Sequence, residues 1–138
     1  MTSSSHEVSV GARLPDWVMA DVRAERMRVT SAIHRDPNPV HWDPRSTRSR
    51  GLDGRVINQG PLNASYLVNM VMAWRGPTCL RGLHVEFDGR ICDGDHVTAR
   101  GVVTAIDPMT HVATCEVWLE RLDGSRPVVG TARVDLSG

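Results

Sequence analysis

The stretch Gln59-Gly60-Pro61-Leu62-Asn63-Ala64-Ser65-Tyr66-Leu67-Val68-Asn69-Met70-Val71-Met72-Ala73-Trp74-Arg75-Gly76-Pro77 decides the fold. Proline suits the first position of a helix, where the missing N–H has no partner to lose. Pro61 therefore opens the predicted helix, with Gly60 as its N-cap. Leu62, Tyr66, Leu67, Met70, Val71 and Trp74 then recur at helical spacing. Gly76-Pro77 ends the run. Polar side chains are sparse within it, namely Asn63, Ser65 and Asn69. A helix apolar around most of its circumference is a buried one. Its first turn keeps backbone N–H groups open to a ligand, and its dipole favours negative charge there.

Downstream the pattern changes to alternation. Leu83, Val85 and Phe87 alternate in Cys79–Phe87, and Val97, Ala99, Gly101, Val103 and Ala105 in the next strand. Val112–Leu119 follows, and Val128, Gly130, Ala132, Val134 and Leu136 close the chain. Turns at Asp88-Gly89, Asp93-Gly94-Asp95, Asp107-Pro108 and Leu122-Asp123-Gly124-Ser125 separate these segments. Four regularly spaced strands predict an antiparallel meander. One buried helix against one antiparallel sheet is an α+β architecture, with the sheet curling around the helix.

Upstream lies Arg35-Asp36-Pro37-Asn38-Pro39-Val40-His41-Trp42-Asp43-Pro44. Its prolines rule out an α-helix and push Asp36, Asn38 and Asp43 toward extended geometry. A carboxylate and an imidazole thus sit five positions apart on a stiff, irregular strip. Between strip and helix, Arg45–Gly54 reads as a loop rich in Arg, Ser and Gly. It carries Arg45, Arg48 and Arg50, with Arg55 just beyond, and these suit either a solvated basic loop or a clamp for a phosphorylated carrier. Asp43 reads as a cap or an arginine partner. Leu14–Met19 reads as an extended arm tucking Trp17 onto the core, and Arg23–Ser31 fits either a short edge strand or a short helix.

Composition bounds the rest. The chain of 138 residues suffices for one domain with a real core. Residues 1–13 read as a flexible tail and 14–138 as the domain. A formal net charge of zero gives no support for nucleic-acid binding by bulk charge. All 16 basic residues are arginines, which excludes Schiff-base chemistry and a Walker-type phosphate loop. Cys79, Cys92 and Cys115 lack metal-ligand spacing and fit a reduced cytoplasmic protein. His34, His84, His96 and His111 are scattered, so no metal site and no cofactor are expected. Neither a signal peptide nor a membrane-length apolar run is read, and no membrane partner is expected.

The strip, the glycine-initiated helix and the strands after it resemble the MaoC-like, R-specific enoyl-CoA hydratase family, which has the hot-dog fold. The family element Asp-x-Asn-Pro-Ile/Val-His stands here as Asp36-Pro37-Asn38-Pro39-Val40-His41, followed by Asp43. Phe87–Asp95 is similar to the family's turn between strands. The resemblance runs from about Met27 to the C-terminus. The sequence departs from the family at Gln59-Gly60, where His-Gly is common, and at Arg35, where Gly is frequent.

The resemblance implies a single hot-dog domain that hydrates a 2-enoyl thioester or dehydrates a 3-hydroxyacyl thioester. Asp36 and His41 would activate water, and the Gly60 N–H would stabilise the thioester oxyanion. Asn38, Gln59, Arg45, Arg48 and Arg55 are the candidate substrate contacts. The implied partners are acyl-CoA or an acyl-carrier protein, and a second hot-dog chain in a homodimer or heteromer. A dehydratase or cyclase acting on a carrier-bound polyketide-type intermediate would use the same pair. A thioesterase would want a carboxylate on the central helix, and Gly60–Trp74 holds none. A non-catalytic hot-dog subunit is the remaining alternative.

Overall fold

The structure is a computed structural model and describes residues 7–137. In chain order it has β1 (Trp17–Met19), α1 (Ala24–His34), a 3-10 turn (Pro39–His41), α2 (Pro44–Ser49) and α3 (Gly60–Arg75). Four longer strands follow: β2 (Leu80–Phe87), β3 (Val97–Ile106), β4 (Val112–Arg121) and β5 (Val128–Asp135). The five strands form one antiparallel sheet in the order β1-β3-β4-β5-β2. α3 touches every strand of that sheet. This is the α+β arrangement expected from the apolar helix.

The meander holds only for β3, β4 and β5. β2 pairs with β5 instead, Leu83 opposite Ala132 and Phe87 opposite Val128. The reason is that the free edge of β3 is already taken by β1, with Trp17 opposite Ala99. Residues just before β1 also pair there. Gly11 N–H donates to the Val103 carbonyl at 2.8 Å and Leu14 N–H to the Gly101 carbonyl at 3.0 Å. The ordered domain thus begins ahead of residue 14, while residues 1–6 of the expected tail lie outside the described residues. Leu14 seats over Gly101, where a Cβ would lie 3.1 Å from the leucine side chain.

α1 resolves the ambiguous segment before the strip as a helix. Arg23, its N-cap, gives no side-chain capping bond, and Asp93 supplies the cap from across the fold, accepting from Ala24 N–H at 2.8 Å. The expected loop at 45–54 begins instead as the short helix α2, because Asp43 caps it by accepting from Arg45 N–H at 3.0 Å.

Tyr66, Leu67, Met70 and Val71 bury one side of α3 against Val103, Cys115, Val117, Leu119 and Ala132. Trp17 stacks on Tyr66 with ring centroids 5.6 Å apart. Ala105, placed inward by alternation, is exposed because a bulge between Val103 and Ala105 shifts the register.

Two outcomes follow from this packing. Leu119 is fully buried, so Leu119→Ala costs about 2–5 kcal/mol of unfolding free energy in denaturant titrations. Burial pushes the Cys115 thiol up to about 11. The unfolded chain loses that proton at lower pH than the native one. Above pH of about 9, stability therefore falls as pH rises, and Cys115→Ala flattens that slope in alkaline unfolding curves.

Candidate active site

The site begins at the end of α1. Arg35 adopts φ 50°, ψ 41° and closes the helix, its N–H returning to Ala32 and Ser31. Asp36 N–H then donates to the Ser31 carbonyl at 2.9 Å, which pins the start of the strip. The left-handed region favours glycine, which explains why an arginine here stands out in the sequence. Asn38 N–H donates to Asp36 Oδ1 at 3.1 Å, and Asn38 Oδ1 accepts from Val40 N–H at 3.3 Å. Asn38 thus orients Asp36 through its backbone and caps the following turn with its side chain.

That turn corrects the purely extended reading of the strip. Pro39 starts the 3-10 turn because its missing N–H costs nothing at that position. The turn carries His41 back toward Asp36. Trp42 is more than 40% exposed and braces the strip from outside, donating Nε1–H to the Pro37 carbonyl at 3.2 Å.

His41 Nε2 lies 3.5 Å from Asp36 Oδ2, with the imidazole side chain 13% exposed and the carboxylate 39%. On its other side, His41 Nδ1 lies 2.6 Å from the Ile57 carbonyl. A carbonyl can only accept, so Nδ1 carries the proton. Nε2 of the neutral ring is then a free base directed toward Asp36. The 3.5 Å separation is longer than a good hydrogen bond and too short to admit a water between the two atoms; a water lying beside the pair can donate to both acceptors.

Ile57 also ties the strip to α3. Its N–H donates to the Val40 carbonyl at 2.8 Å, and Asn58 N–H donates to the Ile91 carbonyl at 2.7 Å. Two residues later α3 begins. Gln59, not Gly60, is the N-cap, and Gly60 is the first helical residue. Asn63 N–H already bonds to the Gln59 carbonyl at 3.0 Å. Among the described residues, the N–H groups of Gly60 and Leu62 have no acceptor. A Cβ at 60 would lie 3.3 Å from Phe87 Cζ, so any larger residue there must push the Phe87 ring aside.

The other candidates are placed as follows. Gln59 is 1% exposed and donates to the Met27 carbonyl at 2.7 Å and to Ser31 Oγ at 2.9 Å. It ties α3 to α1, because a buried amide must find partners inside; its side chain is not presented to a ligand. Arg45 pairs with Asp43, Nε to Oδ1 at 3.2 Å, and holds that carboxyl below its usual range. Arg55 is bound by Asp53 and Asp95, each at 2.8 Å, and both raise its pKa. Two arginines of the expected clamp are therefore neutralised. Arg48 has no acidic partner among the described residues and packs on the Gly54 turn. None of the five hollows described on the single chain is lined by Asp36, His41 or Gly60. The Asp36 side of the site is open to solvent, its carboxylate 39% exposed.

Sequence reading missed the Ile57 carbonyl and Asn58 beside it. A backbone acceptor leaves no mark on residue identity. The one available signal was Asn58, a polar residue directly before a buried helix.

No family model matches the sequence, and no curated protein does. Solved structures do. The (R)-hydratase from A. caviae involved in PHA biosynthesis superposes with a TM-score of 0.83 at 26% identity, over 96% of this chain and 99% of that one. The chain has the MaoC-like hot-dog fold. The MaoC-like dehydratase from Rhodospirillum rubrum matches with a TM-score of 0.74 at 20% identity, over 92% of this chain and 91% of that one. A chain of the ChsH1–ChsH2 complex from Mycobacterium tuberculosis matches with a TM-score of 0.81 at 22% identity, over 94% and 98% of the two. In this hot-dog domain, then, the strip sits where α1, the first turn of α3 and the Ile57 peptide meet.

The left-handed Arg35 gives a direct check. Arg35→Gly relieves a Cβ clash worth about 1 kcal/mol, and raises the thermal midpoint without changing the circular-dichroism spectrum.

Proposed function

We propose that the protein is a hydro-lyase that adds water to a 2-enoyl thioester, or removes it from a 3-hydroxyacyl thioester. The observation that carries this reading is the 3.5 Å gap between His41 Nε2 and Asp36 Oδ2, with the His41 proton held away on Nδ1 by Ile57. A water donating to both acceptors keeps a lone pair for attack. As its oxygen bonds to the β-carbon, its proton passes to His41 Nε2. Negative charge moves to the thioester oxygen, which the Gly60 N–H receives, aided by the α3 dipole. His41 then gives that proton to the α-carbon, with Asp36 sharing in the transfer, so that one water is consumed and both groups end as they began. Dehydration is the same path reversed, so a carrier-bound intermediate that loses water fits equally.

Partner and carrier belong to the same proposal. β2 is a sheet edge eight residues long, and unpaired edges call for cover. Phe87, at its end beside Gly60, is 53% exposed. A second hot-dog chain, identical or different, would close the open side there. We assign the phosphate of CoA or of a carrier-protein arm to Arg48, which like Arg50 has no acidic partner among the described residues. The reduced cytoplasm suits three free cysteines.

Purified protein incubated with a trans-2-enoyl-CoA is expected to bleach the conjugated thioester absorbance. Asp36→Asn and His41→Ala each lower that rate by about 10²–10⁴. Equal rates in all three proteins would remove the pair from the chemistry. Release of free CoA from a saturated acyl-CoA would instead support a thioesterase.

A further inference from the structure

Asn58, Asn63 and Tyr66 form a polar cluster inside an otherwise apolar layer, each 3% exposed. Asn58 Nδ2 donates to Asn63 Oδ1 at 2.7 Å and to Tyr66 Oη at 3.1 Å. Asn58 Oδ1 is buried without a partner. The amide is held in this orientation by its two donor bonds, which leave the oxygen as the unsatisfied end. A buried polar atom left so is costly, and packing alone would favour an apolar residue at 58.

What the amide holds is the peptide next to it. The Ile57–Asn58 peptide presents the carbonyl that receives His41 Nδ1 at 2.6 Å. Its N–H is fixed on the Ile91 carbonyl at 2.7 Å. The Asn58 side chain supplies the third point, fastening that peptide to the first turns of α3 through Asn63 and Tyr66. Tyr66 is itself immobilised under Trp17. The imidazole has two competing acceptors, Ile57 O at Nδ1 and Asp36 Oδ2 at Nε2. A neutral imidazole free in water prefers its proton on Nε2, and Asp36 pulls the same way. Only a firmly placed Ile57 carbonyl keeps Nε2 bare.

We propose that Asn58 is a positioning residue: through the Ile57 carbonyl it holds the His41 tautomer in which Nε2 is the free base. The catalytic value of that tautomer rests on the hydro-lyase reading; the tautomer itself does not.

The test is two-bond ¹H–¹⁵N correlation spectroscopy on histidine-labelled protein, with His41 assigned by its loss in His41→Gln. Wild type shows the Nδ1–H tautomer. Asn58→Leu, close in size but unable to bond Asn63 and Tyr66, shifts His41 toward Nε2–H. Turnover of a 2-enoyl-CoA falls about 10²-fold with KM nearly unchanged. Tyr66→Phe keeps the stacked ring, removes one of the two bonds, and gives a smaller shift in the same direction should Asn58→Leu fail to fold. Leu119→Ala, destabilised but remote from the strip, retains Nδ1–H. A folded Asn58→Leu or Tyr66→Phe protein with His41 still wholly Nδ1–H overturns the proposal. A shifted tautomer in a protein whose wild type hydrates nothing upholds the positioning role and sinks the enzymatic reading.

Discussion

One peptide, Ile57–Asn58, links everything that gives this domain a candidate chemistry. Its carbonyl receives His41 Nδ1 at 2.6 Å, and the N–H of Ile57 returns to Val40, one residue before His41. The proline strip carries no regular secondary structure beyond one 3-10 turn. Left alone, such a segment would sample many conformations, since prolines restrict φ without fixing the path between them. Docking on residue 57 selects one. Because residue 57 lies three positions ahead of Gly60, the same contact fixes the base relative to the first free N–H groups of α3.

The two ends of the strip are anchored by different physics. At Asp36 the anchor is the C-terminus of α1, whose last carbonyls need donors and receive the N–H groups of Arg35 and Asp36. At Asp43 it is the N-terminus of α2, capped by the carboxylate. Three helix termini therefore define a site that no helix contains. The buried amide of Gln59 adds rigidity by joining α1 to α3. In the resembling family a histidine is common at that position, and here its place is taken by a structural tie.

Much of this was legible in the residues. Pro61, the 3.6-residue apolar period and Gly76-Pro77 announce α3, and alternating valines announce the strands. The Asp36…His41 spacing marks the pair because the strip's chemistry is local in sequence. Less legible was whatever depends on distant edges. β2 chooses β5 only because β1 occupies β3, and Ala105 turns outward only because a bulge intervenes. Asp43 was legible as a cap and arginine partner, and it is both; the neutralisation of Arg55 was not, because Asp95 joins Asp53 only in space, forty positions from Arg55. The tautomer of His41 rests on a backbone carbonyl, which sequence cannot display.

The most direct measurement is a crystal structure with a saturated or otherwise unreactive acyl-CoA bound. The account predicts the thioester oxygen about 3 Å from the Gly60 nitrogen. The acyl β-carbon is expected about 3–3.5 Å from a water that lies beside His41 Nε2 and Asp36 Oδ2 and donates to both. A thioester bound elsewhere, with those two side chains facing only bulk solvent, would contradict it.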